Sequence, residues 1–217
     1  LMDAQLIETA ILTQINHQSL IATKTSRIVR AAQGRQVSDF GARRAHNMDA
    51  AVYGARAAYI GGASGTATVM AGQEFGIPVN GTMAHSWVMY FKDEYEAFRR
   101  YAEIYPDNAV LLADTYDVLH SGVPNAIRVA KKVLEPMGRR LKGIRLDSGD
   151  LAYLSKKVRK MLDDAGLTDC KIVVSNSLDE YTITSILNQG GQIDSFGVGE
   201  RLITAKSDPV FGAVYKI

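Results

Sequence analysis

The chain has 217 residues, of which 47% are hydrophobic and 22% are charged, so it contains enough apolar material for one sizeable core. This composition excludes a disordered or fibrous chain. The formal net charge of +2 is far from the basic balance that is typical of a dedicated nucleic-acid binder, so an anionic ligand must be held by a local site.

The cysteine content and the hydropathy pattern bear on the compartment. Cys170 is the only cysteine, which excludes an intrachain disulfide and suits a reducing environment. The sequence lacks both the run of about 20 apolar residues that a membrane span needs and the pattern of a signal peptide. We therefore expect a cytoplasmic protein that binds neither nucleic acid nor membrane. Because the chain starts at Leu1 and stops at Ile217 within an apolar run, we also expect it to be part of a longer protein.

The order of predicted elements is typical of an α/β protein. Apolar residues recur at three- to four-residue intervals from about residue 3 to residue 32, which predicts a helix that ends at Gly34. Short apolar runs then alternate with polar turns and helical patterns, as in βα units. The clearest strand candidates are residues 36–40, 78–82, 109–113, 143–146, 171–174 and 193–196, and residues 59–63 are a weaker candidate.

Helix signals separate the later strand candidates. Apolar residues from 151 to 162 predict a helix with a solvated lysine face, and Ser177 with Glu180 forms a capping-box pattern that predicts a helix over residues 178–188. Gly166 and Gly190 stand where these helices should end. Six or seven strands without a change in composition favour a single domain over residues 1–217. We expect an incomplete or irregular TIM-like α/β barrel and not an open doubly wound sheet.

Polar residues and glycines follow the predicted strand ends. Because the carboxyl ends of parallel strands lie on the same face, these residues are expected to converge into one pocket. Arginines bind phosphate oxygens, carboxylates hold Mg²⁺ on a polyphosphate or bind ribose hydroxyls, and glycine and serine turns bind a terminal phosphate. The set fits a phosphorylated sugar with a metal-chelated leaving group: Phe40, Gly41, Arg43, Arg44, His85, Ser86, Asp114, Asp117, Arg145, Asp147, Ser148, Asp150, Ser175, Asn176, Gly197 and Gly199.

Several of these residues also have a purely structural interpretation. Asp114 or Asp150 can be a helix N-cap, and the glycines at 197 and 199 can simply shape a loop. Arg43 and Arg44 can form a surface pair.

Other motifs are treated in the same way. The glycine-rich segment 61–66 lacks the ending of a P-loop, so we do not predict one there. His17, His46 and His120 have no supporting neighbours and are expected to be structural or exposed. His85 lies between a strand end and Ser86, which favours a functional role.

Six ordered motifs across nearly the whole chain resemble those of the nicotinate phosphoribosyltransferases. A single one of these motifs is weak, but the ordered set is specific. They are Asp39-Phe40-Gly41-Ala42-Arg43-Arg44-Ala45, Gly81-Thr82-Met83-Ala84-His85-Ser86, Asp114-Thr115-Tyr116-Asp117-Val118, Ile144-Arg145-Leu146-Asp147-Ser148-Gly149-Asp150-Leu151, Ser175-Asn176 with Leu178-Asp179-Glu180, and Phe196-Gly197-Val198-Gly199.

The resemblance implies a type II phosphoribosyltransferase fold and an enzyme that joins nicotinate to 5-phosphoribosyl 1-pyrophosphate. The products would be nicotinate mononucleotide and pyrophosphate, in the salvage of nicotinate into NAD. It also implies coupled ATP hydrolysis through a phosphohistidine, which would be His85. Mg²⁺ would be held through the substrate, with Asp114 and Asp147 as the candidate contacts and no metal site made by the protein alone. The full-length form would be a homodimer in which the partner's N-terminal domain covers nicotinate, whereas that domain and the C-terminal extension are absent from this sequence.

The same resemblance assigns roles to individual residues. Catalytic roles fall on His85, Arg145 and Asp147, the last two holding the ribose and pyrophosphate. Phe40 and Arg43 would contact nicotinate. The remaining substrate-binding residues are Thr82 and Ser86 in the histidine motif, Asp114 beside the metal-bound substrate, and Ser175, Asn176, Gly197 and Gly199 around the 5-phosphate.

Two departures from the family pattern qualify the assignment. Glu200 stands where a threonine commonly follows the Gly-Val-Gly turn, and it is unhelpful to a phosphate unless it points away or pairs with Arg201. Ala67-Thr68 replaces an expected Ser-Asn. Two alternatives stay open, namely the related nicotinamide phosphoribosyltransferase and a non-catalytic phosphosugar-binding fragment. The arginine pair and the form of the histidine motif favour the nicotinate enzyme, since an amide substrate would require a carboxylate near the ring.

Overall fold

A computed structural model describes residues 2–215, and the chain divides into two compact units. The first unit contains the chain up to Gly81, the segment Ser177–Ile183 and the chain from Gly197 onward. The second contains Thr82–Asn176 and Thr184–Phe196. The expectation of one catalytic domain stays a prediction.

The elements alternate between helix and strand along most of the chain. Helices are α1 (Met2–Ala31), α2 (Met48–Ile60), α3 (Val69–Phe75), α4 (His85–Tyr90), α5 (Glu94–Ile104), α6 (Val123–Val129), α7 (Leu151–Asp164), α8 (Glu180–Asn188) and α9 (Glu200–Ile203). Strands are β1 (Gln36–Asp39), β2 (Gly65–Thr66), β3 (Val110–Leu112), β4 (Gly143–Leu146), β5 (Lys171–Ser175) and β6 (Ser195–Val198). Short 3₁₀ turns occur at Ala42–Arg44 and Glu135–Met137, and π-helical turns at Val118–Gly122 and Ala130–Leu134.

The first unit is built around the long helix α1 and the parallel strands β1 and β2. The buried positions Ile21, Thr25 and Ile28 recur at three- to four-residue spacing on α1, as expected for an amphipathic helix. Strand β1 pairs with β2, and Asp39 lies opposite Thr66 in this pairing. Directly after β1, the N–H of Phe40 donates a hydrogen bond to the carbonyl oxygen of Val198. The carboxyl end of β1 is therefore fixed from two sides.

The second unit contains a parallel ladder of β3, β4 and β5, in which Arg145 of β4 lies opposite Leu112 and Val173. Asp194 N–H, just before β6, donates to the Ile172 carbonyl of β5. Helices pack on strands that are buried almost throughout, which is why these strands read as continuous apolar runs. The core side chains include Phe98, Leu111, Leu112, Leu134, Ile144, Leu146 and Leu162.

Two strand predictions are wrong. Residues 59 and 60 form the last residues of α2, which continues because the preceding alanine-rich residues favour helix, and Gly61 caps it. Residues 78–82 do not form a strand, and only Val79 makes an isolated parallel bridge, to Thr66. Pro78 lacks an N–H donor and Asn80-Gly81 favours a turn, so the apolar content of this segment was misleading.

Helix ends agree with the sequence in most places and differ at α8. Asp150 accepts a hydrogen bond from Tyr153 N–H and caps α7, which confirms its structural interpretation. The predicted capping box at Ser177 is wrong, because Asp179 Oδ1 accepts from the N–H groups of Tyr181 and Thr182 instead. Gly34, Gly166 and Gly190 follow helices with φ of 82°, 74° and 78°, as predicted.

Within residues 2–215, no helix is both long enough and apolar enough to cross a membrane.

Candidate active site

Arg145 is the hub of a hydrogen-bonded cluster in the second unit. From strand β4, its Nε donates to Ser175 Oγ at 2.9 Å and its Nη1 donates to Thr82 Oγ1 at 2.8 Å. Its Nη2 donates to Asp147 Oδ1 at 3.0 Å, and the Ser175 hydroxyl donates to the same carboxylate oxygen. The guanidinium side chain is 15% exposed. One planar cation therefore orients two hydroxyls and a carboxylate that come from three separate segments.

His85 is the first residue of α4 and lies beside this cluster. Its Nδ1 is 3.1 Å from Thr115 Oγ1, whereas its Nε2 is 3.6 Å from Asp147 Oδ2 and 3.9 Å from Asp114 Oδ1. The imidazole is 38% exposed, so a ligand can reach it. The ring is thus held by a hydroxyl on one side and faces two carboxylates on the other, which suits a nucleophile or a proton carrier.

Asp114 follows β3 and is not a helix cap. Its Oδ2 accepts from Asp147 N–H at 3.0 Å and from the Ser148 hydroxyl at 2.5 Å. Its Oδ1 is buried and has no hydrogen-bond partner within the described chain. A carboxylate oxygen left in this state can accept a ligand hydroxyl or contact a cation. Capping is the role of Asp117 instead, which accepts from the N–H groups of Leu119 and His120.

Two residues around Asp114 have no role among the sequence predictions. Thr115 lies next to it in the chain and supplies the hydroxyl on His85, so its position within the motif Asp114-Thr115-Tyr116-Asp117-Val118 was a signal. Glu94 is 3% exposed at the start of α5 and accepts from the Ser121 hydroxyl. Burial raises the pKa of Glu94, although that hydrogen bond opposes the shift, and Asp114 contributes by charge repulsion. Nothing in the sequence indicated that Glu94 is buried, because glutamates in the first turn of a helix are usually exposed.

The other predicted site residues of the second unit differ in their surroundings. Ser86 is exposed in the first turn of α4. Ser175 is 2% exposed, and its hydroxyl is engaged with Arg145 and Asp147. Asn176 is exposed and has a φ of 89°, a left-handed conformation that asparagine tolerates better than most residues.

The remaining predicted residues lie in the first unit, around Phe40. The Phe40 ring is half-buried and packs so closely on Gly197 that a Cβ there would overlap it, and a Cβ on Gly199 would be 3.2 Å from the Phe40 carbonyl oxygen. Close approach of Phe40 therefore requires glycine at 197, and at 199 it leaves less room for a side chain than an ordinary contact does. Arg43 is exposed in the 3₁₀ turn that follows, where it can meet an anionic ligand.

Asp39 fixes the residue that carries this ring. It is fully buried, its Oδ1 accepts from Gly41 N–H at 2.8 Å, and its Oδ2 accepts from the Thr66 hydroxyl at 2.8 Å. Thr66 Oγ1 in turn accepts from Thr68 N–H at 2.9 Å. Burial raises the pKa of Asp39 from its ordinary value, while the Thr66 and Gly41 hydrogen bonds act against that shift.

Glu200 does not pair with Arg201. The Lys206 ammonium donates to Glu200 Oε1 at 2.9 Å and lowers the pKa of this exposed carboxyl, whereas Arg201 donates to Asp179 Oδ2 at 2.5 Å. Arg201 lies in α9 and points its guanidinium to the residue that precedes α8. The carboxylate beside the glycine turn is thus neutralised by a different cation than expected.

The other histidines and the potential metal ligands complete the inventory. His120 is exposed and lies against Asp117, and His17 Nε2 is 3.2 Å from the Ala50 carbonyl. His46 is exposed as well. Within residues 2–215, no group of three or more His, Cys, Asp or Glu side chains is arranged to hold a metal ion.

A model of the nicotinate phosphoribosyltransferase (NAPRTase) family matches residues 35–216. The chain belongs to the nicotinate phosphoribosyltransferase family. It is 58% identical over its whole length to "Nicotinate phosphoribosyltransferase" of Bacillus subtilis, of which it covers 44%. The chain therefore spans less than half the length of this relative.

Solved structures agree with this assignment. The chain resembles human nicotinic acid phosphoribosyltransferase with a TM-score of 0.83 and 30% identity, over 89% of this chain and 49% of that one. It resembles nicotinate-nucleotide pyrophosphorylase of Pyrococcus furiosus with a TM-score of 0.76 and 31% identity, over 92% and 50%. These likenesses confirm the predicted α/β fold of the type II phosphoribosyltransferases. Residues 2–215 contain six strands where a complete TIM barrel has eight, in line with the predicted incomplete barrel.

Proposed function

We propose that this family member carries the transfer site of a nicotinate phosphoribosyltransferase. The reaction would join nicotinate to 5-phosphoribosyl 1-pyrophosphate and release pyrophosphate, forming nicotinate mononucleotide. The observation that carries the proposal is the Arg145 cluster, in which a cation and the carboxylates Asp114 and Asp147 lie around a reachable histidine. Family membership and the names of the relatives support the substrate assignment.

Catalysis of the transfer requires mainly that the substrates are positioned and that the developing charges are stabilised. Bond cleavage at the anomeric carbon places positive charge on the ribose and negative charge on the departing pyrophosphate. In this proposal Arg145 binds the pyrophosphate oxygens, and Asp147, which Arg145 and Ser175 orient, binds the ribose. Thr82 keeps the guanidinium plane in place from the other side.

Mg²⁺ fits this donor set as a cation carried by the substrate. Asp114 offers a buried carboxylate oxygen that accepts no hydrogen bond from the part of the chain that the structure describes, and Asp147 offers a second carboxylate. Two such groups match the few protein ligands that Mg²⁺ takes beside phosphates. When bound, the ion would neutralise charge on the pyrophosphate. The residues of this chain would only orient the complex.

His85 is proposed to couple ATP hydrolysis to transfer. An imidazole nitrogen attacks the γ-phosphorus of ATP, the bond to the bridging oxygen breaks, and ADP leaves. Water later cleaves the phosphohistidine and releases inorganic phosphate. Thr115 on one side of the ring and Asp147 on the other hold it in a single orientation for this step.

The first unit supplies the proposed nicotinate contacts. Phe40 would stack on the pyridine ring, and Arg43 would pair with the carboxylate of nicotinate. An amide substrate would need a carboxylate near the ring of Phe40. The carboxylate next to Phe40 in the chain is that of Asp39, which is buried and whose two oxygens already accept hydrogen bonds. The nicotinate enzyme is therefore favoured over the nicotinamide enzyme. The backbone of Ser175 and Asn176 in the second unit, and the turn of Gly197 and Gly199 in the first unit, are each proposed as phosphate-binding groups.

Assembly and location complete the proposal. We propose a cytoplasmic homodimer for the full-length form, in which the partner supplies a cover for nicotinate.

The test transfers residues 1–217 into the matching segment of the Bacillus subtilis relative, which is 58% identical over the whole of this chain. We expect the chimera to form nicotinate mononucleotide and pyrophosphate from nicotinate, phosphoribosyl pyrophosphate, ATP and Mg²⁺. Arg145→Ala should abolish transfer, and His85→Ala should abolish acid-labile labelling by γ-labelled ATP. Asp150→Asn is the matched control, because asparagine still caps α7 and should leave both activities intact.

Three results would contradict the proposal. Consumption of nicotinamide but not nicotinate would identify the related enzyme instead. Binding of phosphoribosyl pyrophosphate without pyrophosphate release, while the Bacillus parent turns over, would favour a non-catalytic phosphosugar module. Label that survives His85→Ala would remove His85 from the phosphoryl-acceptor role.

A further inference from the structure

Two basic side chains of the first unit hold the acidic residues at the start of α8. Lys24 Nζ lies 2.7 Å from Glu180 Oε2, and these side chains are only 5% and 11% exposed. Arg201 Nη1 lies 2.5 Å from Asp179 Oδ2. A lysine on a helix is almost never this deeply buried unless it is paired. Helices α1 and α9 therefore both fix the position of residues 179 and 180.

Asp179 is engaged on every side. Its Oδ1 accepts from the N–H groups of Tyr181 and Thr182 and from the Thr182 hydroxyl, while its Oδ2 binds Arg201. Burial on its own would raise the pKa of Asp179, but the hydrogen bonds from Thr182 and Arg201 lower it below its ordinary value. The carboxylate is thus ionised at neutral pH and ties α9 to the first turn of α8.

Shortly before Asp179, two residues adopt an unfavourable backbone conformation. Asn176 has a φ of 89° and Ser177 a φ of 50°, and they are the only consecutive non-glycine residues with positive φ in the described chain. Left-handed residues other than glycine carry a steric cost, and such conformations persist where the surroundings over-determine them. Here the two ion pairs of the first unit fix the chain shortly after Ser177.

We propose that Lys24 and Arg201 are positioning residues that keep Asn176 and Ser177 left-handed so that the turn can bind the phosphate of a phosphorylated sugar. The inference rests on the proposed function, in which the turn holds the 5-phosphate. A left-handed turn between a strand and a helix presents successive backbone N–H groups to one side, and an anion binds in such a concavity. Neither basic residue needs to touch the phosphate.

The test removes one ion pair without leaving a buried charge. In Lys24→Met/Glu180→Leu both charges are replaced by apolar side chains, a change that commonly preserves or increases stability. We expect this variant to unfold at the same urea concentration as the unmodified 217-residue chain. Its affinity for ribose 5-phosphate, measured by titration calorimetry, should fall about tenfold, equivalent to about 1.4 kcal/mol.

A glycine rescue separates positioning from general damage. Glycine adopts positive φ without steric cost, so Ser177→Gly in the double variant should restore the affinity to within about threefold of the unmodified chain. Ser177→Ala in the same background removes the same hydroxyl without that freedom and should not restore it. The one-bond Cα–Hα coupling of Ser177, which distinguishes positive from negative φ, should change in the double variant.

The outcomes decide the matter in each direction. Unchanged affinity and unchanged coupling in the double variant would overturn the inference, as would equal behaviour of the glycine and alanine variants. If the unmodified chain binds no ribose 5-phosphate, the proposed phosphate role of this turn fails. The coupling of Ser177 then still shows whether Lys24 and Glu180 hold the turn.

Discussion

Replacing Thr66 by valine should show how strongly the buried carboxylate of Asp39 depends on a single hydroxyl group. Thr66 and Asp39 are both fully buried, and valine has nearly the same shape as threonine, so the substitution removes hydrogen bonds without opening a cavity. Two bonds are lost. Asp39 Oδ2 loses its donor, and the N–H of Thr68 loses its acceptor.

The magnitude follows from the burial of each orphaned group. Because Asp39 is fully buried, its unpartnered carboxylate oxygen should cost about 2 to 3 kcal/mol. Thr68 is half-buried, so water can partly replace the lost acceptor, and this loss should cost about 0.5 kcal/mol. Together we expect the free energy of unfolding to fall by about 3 kcal/mol. Thr66→Ser keeps the hydroxyl and should lose only about 1 kcal/mol through the missing methyl group.

Urea denaturation of the 217-residue chain and its two variants measures these differences. The midpoint should move while the dependence on urea stays constant, since the amount of surface exposed on unfolding does not change. The reasoning is refuted if Thr66→Val loses less than about 1 kcal/mol, or if the serine variant is as unstable as the valine variant. In either case the Thr66 hydroxyl would not be what satisfies the buried carboxylate.

Three further substitutions or treatments test neighbouring features. Burial raises the pKa of Asp39 in the folded chain above the ordinary value of 3.8. The protonated carboxyl therefore contributes fully to stability below pH 3.8, and this contribution is lost as the pH rises through the higher pKa of the folded state. The unfolding free energy of the native chain relative to Asp39→Asn should therefore decrease as the pH rises above 3.8, and a constant difference in urea midpoints would contradict this. Gly197→Ala should lower stability by about 2 kcal/mol because its methyl group displaces the Phe40 ring, whereas Gly199→Ala, with a looser contact, should cost less in the same urea assay. Burial raises the pKa of the Cys170 thiol to about 12. Alkylation by iodoacetamide should therefore be about a thousandfold slower in the folded chain than in the urea-unfolded chain. Equal rates would show that the thiol is accessible.

Apolar pattern was a good guide to the strands that are buried on both faces. The runs at 109–113, 143–146 and 171–174 correspond to β3, β4 and β5 within one residue at each end, because a parallel strand under helices must be apolar throughout. The same criterion failed at 59–63, where the apolar residues belong to the end of α2. Local composition does not distinguish a buried strand from the buried turn of a helix.

The site residues were predictable where chemistry follows a strand directly. Arg145 lies in β4 and Asp147 follows it directly, as predicted. His85 lies beside them, although the segment before it forms no strand and only its motif indicated a role. Partners that are distant in the sequence were not predictable, since nothing local indicates that Lys24 meets Glu180 or that Arg201 meets Asp179. Pairs of this kind depend on how helices pack, and this is decided by the whole core.

The sharing of Arg145 among three partners has a consequence for mutational scanning. Substitution of Thr82, Asp147 or Ser175 removes a restraint on the same guanidinium, so each single variant also disturbs the other two contacts. The losses measured one at a time should then add up to more than the loss in the triple variant. Alanine scanning of these residues would measure mainly how much each substitution displaces the Arg145 side chain. Only combined variants would separate the contribution that each residue makes by itself.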